Sequence, residues 1–124
     1  MFDKIGIISL PVENQERAKG FFCDKLGFEV VRDNDFMGEN KRWIELRPKG
    51  AETSIVLVTW FEHMPAGSLH GNVLLTSNIQ KTYKTLQERE VDTTELQTAP
   101  WGTFVELNDT EGNGWVLQQT APDA

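Results

Sequence analysis

Trp-Ile-Glu-Leu-Arg-Pro-Lys occupies residues 43–49 of the chain, and Phe-Val-Glu-Leu-Asn-Asp-Thr repeats its pattern at residues 104–110. Each stretch leads through a glycine, Gly50 or Gly112, into an apolar run. Upstream, residues 10–14 match residues 74–78, which lie 64 positions later. An internal repeat of about 60 residues predicts that one structural unit is used twice, with a shared cavity between the copies.

The composition indicates one globular domain. The chain has 124 residues, of which 39% are hydrophobic and 25% charged, which is enough for a core. The formal net charge of −7 argues against nucleic acids and anionic membranes as partners, because both require a basic face. The same charge would suit a cationic ligand.

Other features of the sequence predict a cytoplasmic protein. No apolar stretch approaches the ~20 residues of a membrane span, and the first residues do not resemble a signal peptide. Cys23 is the single cysteine, so an internal disulfide is impossible and a reducing compartment is expected.

Hydrophobic periodicity predicts the same order of elements in both halves: a strand, a helix and three strands. Asparagines at the expected N-cap positions, Asn14 and Asn78, begin the two helices, and Gly27 ends the first. The predicted strands are 4–12, 28–31, 43–47 and 53–59, then 73–75, 91–96, 103–108 and 114–119, with a polar loop at 32–41. The predicted fold is therefore α+β, with module one at residues 1–60, a linker at 61–70 and module two at 71–119.

Two segments give the chain a family resemblance. Residues 10–30, Leu-Pro-Val-Glu-Asn-Gln-Glu-Arg-Ala-Lys-Gly-Phe-Phe-Cys-Asp-Lys-Leu-Gly-Phe-Glu-Val, resemble the first module of the vicinal oxygen chelate superfamily. Its members include glyoxalase I, extradiol dioxygenases and bleomycin-resistance proteins. Residues 109–113, Asp-Thr-Glu-Gly-Asn, with Pro100-Trp101-Gly102 before them, resemble the signature of its second module. The resemblance implies two βαβββ modules that form a curved mixed sheet around a cavity, but no single activity, because this fold serves many functions.

The resemblance also implies where a metal would bind. In metal-dependent members, four His, Gln or Glu ligands lie on the first and last strands of the two modules. The matching positions here are Ile7, Leu57, Gly71 (or Asn72, if the register moves by one) and Val116. Aliphatic side chains and glycine provide no ligand, and a lone asparagine is a poor one. We therefore expect neither a metal nor another cofactor at the usual site.

The two histidines leave one alternative open. His63 and His70 fall in the linker, and we interpret both as solvated loop residues. A displaced metal site would instead combine His70 with Glu45 and Glu106.

Strand alternation predicts which side chains line the cavity. Trp43 and Glu45 alternate with aliphatic residues that would cover the helices, as do Phe104 and Glu106 in module two. Adding the neighbouring strands and the Pro-Trp-Gly turn gives a mainly apolar site with a few polar groups, which is usual for small molecules. The predicted ligand-binding residues are Ile7, Trp43, Glu45, Leu57, Trp101, Phe104, Glu106 and Val116.

Three functions fit such a cavity. The first is a metal-independent homodimer that binds and sequesters a hydrophobic or aromatic small molecule, an antibiotic or a metabolite, with its modules paired within one chain or across two. The second is a lyase or dioxygenase-type enzyme that uses the displaced metal site or acid–base chemistry by Glu45 and Glu106. The third is a concave surface that binds another protein or subunit.

Overall fold

The computed structural model describes residues 1–35 and 37–122. Both halves follow the predicted order of a strand, a helix and three strands. The elements of module one are β1 (Ile7–Pro11), α1 (Gln15–Gly20) with a π-helical turn after it (Phe21–Lys25), β2 (Phe28–Asn34), β3 (Trp43–Pro48) and β4 (Ser54–Val58). The elements of module two are β5 (Asn72–Leu75), α2 (Ile79–Glu88), β6 (Gln97–Ala99), β7 (Gly102–Asn108) and β8 (Gly114–Thr120).

The strands form two four-stranded mixed sheets of identical topology. Their orders are β1-β4-β3-β2 and β5-β8-β7-β6. In each sheet the first and last strands of the module pair in parallel, and the other neighbours are antiparallel. The predicted α+β class is confirmed.

The helices begin where the sequence predicts. The Asn14 side chain accepts a hydrogen bond from the Arg17 backbone N–H at 2.9 Å, and Asn78 accepts from Lys81 at 3.1 Å. Gly27 has a φ of +74°, which lets the chain leave the first helix through a conformation that other residues rarely adopt.

Two element predictions are wrong. Strand β2 extends to Asn34, so residues 32–34 do not belong to the predicted loop at 32–41; Phe36 of that loop lies outside the described residues. The predicted strand at 91–96 is not formed, and β6 lies at residues 97–99 instead. There the Thr94 backbone N–H donates to the Glu106 carbonyl at 2.9 Å, but the Thr94 hydroxyl accepts the Glu106 N–H at 2.9 Å. A side chain therefore takes the place of the backbone carbonyl of a regular strand.

One hydrophobic core joins the two modules. It contains Leu10, Phe22 and Leu46 from module one and Leu107 and Trp115 from module two. The rings of Phe22 and Trp115 pack edge to face with centroids 5.6 Å apart. Within the described residues, no helix is long and apolar enough to span a membrane. The shared core leaves the opposite face of each sheet for other uses.

Candidate ligand-binding site

The sheet of module one has a mixed aromatic and charged face on the side away from the core. Glu45 pairs with Val56 on β4 and with Arg32 on β2, and directly paired residues share a face. The Ser54 hydroxyl, next to Ile7 in the register, donates to Glu45 at 2.6 Å. Strand alternation adds Trp43. The module-one face is defined here as Ile7, Arg32, Trp43, Glu45, Ser54 and Val56.

The sheet of module two has a more apolar face on the corresponding side. Glu106 pairs with Val116, and Phe104 pairs with Gln118. The Trp101 ring, in the turn before β7, packs against Phe104 with centroids 4.8 Å apart. The module-two face is defined here as Val73, Leu75, Trp101, Phe104, Glu106, Val116 and Gln118.

Both faces are partly open to solvent in a single chain. Ile7 is 45% exposed on the first face, and Leu75 is 72% exposed on the second. Trp43, Phe104 and Val116 are half-buried. Seven of the eight residues predicted to bind a ligand therefore lie on these two faces, and their contact with a ligand stays a prediction.

The eighth residue, Leu57, does not line either face. It pairs with Leu10 and is fully buried in the core beneath the helices. The prediction for Leu57 is wrong because β4 pairs in register with its neighbours so that Ser54 and Val56, rather than Ile55 and Leu57, lie on the side of Glu45.

Glu45 is a buried carboxylate whose two oxygens have protein partners. The residue is 5% exposed. One oxygen accepts the Trp43 indole N–H at 3.1 Å, and the other accepts the Ser54 hydroxyl. The nearest Arg32 nitrogen lies 3.9 Å away. These contacts compensate the burial of a charged group.

Glu106 has different surroundings. It is exposed and lines a hollow of about 480 Å³ that is built from module two and the end of the linker, and that is also bordered by His70, Asp92 and Asn108. Of the three residues in the predicted displaced metal site, His70 and Glu106 line this hollow, but Glu45 does not. In residues 1–35 and 37–122 no three His, Cys, Asp or Glu side chains are grouped so that they could hold a metal. Since Glu106 is exposed, a buried Glu45–Glu106 pair is not formed within one chain.

The signature at residues 109–113 holds the modules together. Asp109 accepts hydrogen bonds from the backbone of Glu111 and Asn113 and from the Trp115 indole. The fully buried Asn113 side chain donates to the Pro11 carbonyl at 2.8 Å. No local pattern in the sequence predicts this role, because the hydrogen-bond partner lies 102 residues away in the chain.

Glu111 extends this connection to the start of helix α1. Its carboxylate accepts hydrogen bonds from the backbone N–H groups of Glu13 and Asn14, from the Arg17 guanidinium and from the Thr110 hydroxyl, at 2.8–3.0 Å. Burial raises the pKa of Glu111, but these hydrogen bonds outweigh burial and lower it to about 2. The group is therefore an ionised structural link at neutral pH.

These sheets, their order and the signature between β7 and β8 define a class of protein. The sequence model of the Glyoxalase/Bleomycin resistance protein/Dioxygenase superfamily matches residues 4–117. The chain belongs to this superfamily.

Individual relatives support the assignment. The chain is 32% identical to the uncharacterized protein YetH of Bacillus subtilis (strain 168), over 96% of this chain and 100% of YetH. It is 38% identical to TnmS3, an antibiotic binding protein from Streptomyces sp. CB03234. The crystal structure of TnmS3 matches with a TM-score of 0.90 over 97% of this chain and 98% of TnmS3. A glyoxalase/bleomycin resistance protein from the same Streptomyces is 40% identical, with a TM-score of 0.81 and coverage of 91% and 97%.

Proposed function

We propose that this protein binds a hydrophobic or aromatic small molecule between a module-one face and a module-two face, and thereby sequesters it. The observation that carries the proposal is the pair of partly open faces, each of which places aromatic and aliphatic side chains around one carboxylate. Mainly apolar walls with a few placed polar groups are the usual composition of a small-molecule site.

The similarity to TnmS3, an antibiotic binding protein, supports an antibiotic-like ligand. The aromatic content of the faces agrees with this class. Trp43 is on one face, and the Trp101–Phe104 pair is on the other. Flat aromatic surfaces bury large areas and stack on other rings.

We further propose that a second copy of the chain completes the cavity. The shared core holds the modules together on their helical sides, while the two faces point away from that core. A twofold arrangement would set the module-one face of one copy against the module-two face of its partner. The apolar side chains that such a partner would cover include Ile7, Val73 and Leu75, which are 45%, 48% and 72% exposed, and burial of exposed apolar surface favours association.

The alternative, an enzyme that uses Glu45 and Glu106 as an acid–base pair, has less support. Both oxygens of Glu45 are already hydrogen-bonded to protein groups, and Glu106 lies on a separate, exposed hollow. Among the residues that the structure describes, the groups recorded beside Glu45 are the Trp43 indole, the Ser54 hydroxyl and the Arg32 guanidinium, none of which is a usual general acid or base.

Ligand binding and assembly test the proposal together. The mass in solution would be measured by light scattering, and binding of doxorubicin and of bleomycin would be followed by thermal shift and tryptophan fluorescence. We expect a dimer, and we expect Trp43→Ala and Phe104→Ala each to raise the Kd of a bound compound about tenfold. Phe61→Ala is the matched control, because Phe61 is exposed but lies outside every strand. The proposal would be contradicted by a monomer that binds neither these two compounds nor other aromatic antibiotics with a Kd below about 100 μM.

A further inference from the structure

We infer that Glu45 is a positioning residue: it fixes the Trp43 indole beside the exposed Arg32 guanidinium on the module-one face, so that the site selects flat aromatic molecules with oxygen acceptors at one edge. The inference rests on the proposed function and names the ligand chemistry for the same cavity. It is carried by the hydrogen bonds of Glu45, by a β-bulge in β2 and by the exposure of Arg32.

The Glu45 carboxylate acts on its neighbours and not on a ligand. Its oxygens accept from Trp43 and Ser54, and the residue is almost completely covered. A buried charge is unfavourable unless it is paired and hydrogen-bonded. Both oxygens of Glu45 are therefore used in contacts within the protein, which position the groups around it.

The first of these groups is Trp43. The hydrogen bond from its indole N–H to Glu45 fixes the direction of that edge of the ring. Trp43 as a whole is half-buried, so the residue is not sealed off from solvent. A ring held in one orientation is a better stacking wall than a mobile one, because less conformational entropy is lost on binding.

The second group is Arg32, which a β-bulge turns toward the face. Val30 pairs with Leu46 and Arg32 pairs with Glu45, so Val31 is an extra residue in β2. Without this bulge, Arg32 would pair with Ile44, whose side chain is in the core. Bulges often redirect a side chain at a functional position.

The exposure of Arg32 leaves it available to a ligand. Its side chain is 64% exposed, and its closest approach to Glu45 is 3.9 Å, longer than a good hydrogen bond. A guanidinium carries five N–H donors in one plane and suits carbonyl, phenolate, carboxylate or sulfonate oxygens. On this face the exposed N–H donors of Arg32 therefore favour oxygen acceptors, although the whole chain carries −7.

Two fluorescent probes separate the aromatic part of this recognition from the acceptor part. Anilinonaphthalene sulfonate and phenylnaphthylamine share their rings, but the second lacks the sulfonate. Their Kd values would be measured for the wild-type protein and for Arg32→Gln, Glu45→Ala and Glu45→Gln. Lys84→Gln is the control for charge, because Lys84 is exposed on α2.

We expect Arg32→Gln to raise the Kd of the sulfonate about tenfold more than that of the neutral probe, and Lys84→Gln to leave the ratio of the two unchanged. Glu45→Ala should raise the Kd of both probes. It should also shift the indole N–H signal of Trp43 in nitrogen–proton NMR spectra, a signal that is assigned by its loss in Trp43→Phe. Glu45→Gln keeps an acceptor for the indole, so it should restore most of the affinity and most of the signal position.

Three results would overturn the inference. If Arg32→Gln changes the ratio no more than Lys84→Gln, the acceptor selectivity is refuted while the proposed function stands. If Glu45→Ala leaves the Trp43 signal in place, the positioning role is refuted. Should that variant fail to fold, Glu45→Asp, whose carboxylate is one methylene farther from the indole, must shift the same signal, and an unshifted signal refutes the role in the same way. If the wild-type protein binds neither probe but binds doxorubicin or bleomycin, the inferred ligand chemistry is refuted while the proposed function stands; if it binds none of these compounds, both fail.

Discussion

Replacing Glu111 by glutamine tests whether one ionised side chain links the two modules. The carboxylate joins the turn between β7 and β8 to the start of α1 through the backbone N–H groups of Glu13 and Asn14 and the Arg17 guanidinium. Glutamine is similar in size, but its amide nitrogen cannot accept these hydrogen bonds. Glu111→Gln therefore removes the charge and leaves donors without an acceptor.

The expected magnitude follows from the pKa. The pKa of Glu111 is lowered from 4.5 to about 2 in the folded protein, and each tenfold change in proton affinity is worth about 1.4 kcal/mol. Ionised Glu111 therefore contributes on the order of 3 kcal/mol to the free energy of unfolding at pH 7. Because the folded pKa is the lower one, the unfolded chain takes up the proton first as the pH falls. The contribution is complete above about pH 5, decreases to about 1.4 kcal/mol near pH 3 and is lost below about pH 2.

Urea unfolding at fixed protein concentration, measured at several values between pH 7 and pH 3, provides the assay. The difference between the wild-type protein and Glu111→Gln should be about 3 kcal/mol at pH 7 and should shrink by about half at pH 3. Glu13→Gln is the matched control, because it removes a neighbouring exposed carboxylate but keeps the backbone donor; its effect should stay within about 0.5 kcal/mol. A difference that does not change with pH, or a loss at pH 7 no larger than that of the control, would refute the reasoning.

Three further substitutions test the contact of Asn113 with Pro11, the burial of Leu57 in the core and the close approach of the backbone at Gly102. Asn113→Ala removes the donor to the Pro11 carbonyl and should lower the free energy of unfolding by about 2–3 kcal/mol in urea melts; an unchanged midpoint would refute the link. Leu57→Ala should lower the free energy of unfolding by about 2–5 kcal/mol but leave the probe affinity of the folded protein unchanged. Weaker probe binding would show that Leu57 lines the cavity after all. Gly102→Ala would drive a Cβ into the Gln119 carbonyl at a φ of +148° and should cost about 2 kcal/mol or more; a wild-type melting temperature would argue against this close approach.

The sequence was most informative where the signal is local. Asn14 and Asn78 predict helix starts because a capping side chain bonds to the backbone three residues on. The face of α2 follows from Ile79 and Leu86, both buried as their helical spacing requires. The prediction failed at residues 91–96, where Val91 enters the core but Thr94 accepts the Glu106 N–H with its hydroxyl in place of its backbone carbonyl. The composition, an apolar residue followed by threonines, is typical of a strand whether or not a side chain replaces the backbone in this way.

By itself, then, the sequence determined the repeat, the α+β modules, the superfamily and the alternation that brings Trp43 and Glu45 to one face. Tertiary structure alone decided that Leu57 belongs to the core, that Arg32 turns outward and that residues 109–113 hold Pro11 and the start of α1. The physical reason is that these features depend on register between segments distant in the chain. A single extra residue at Val31 reverses the faces of the side chains that follow it in the strand, and no local pattern in the sequence records that shift.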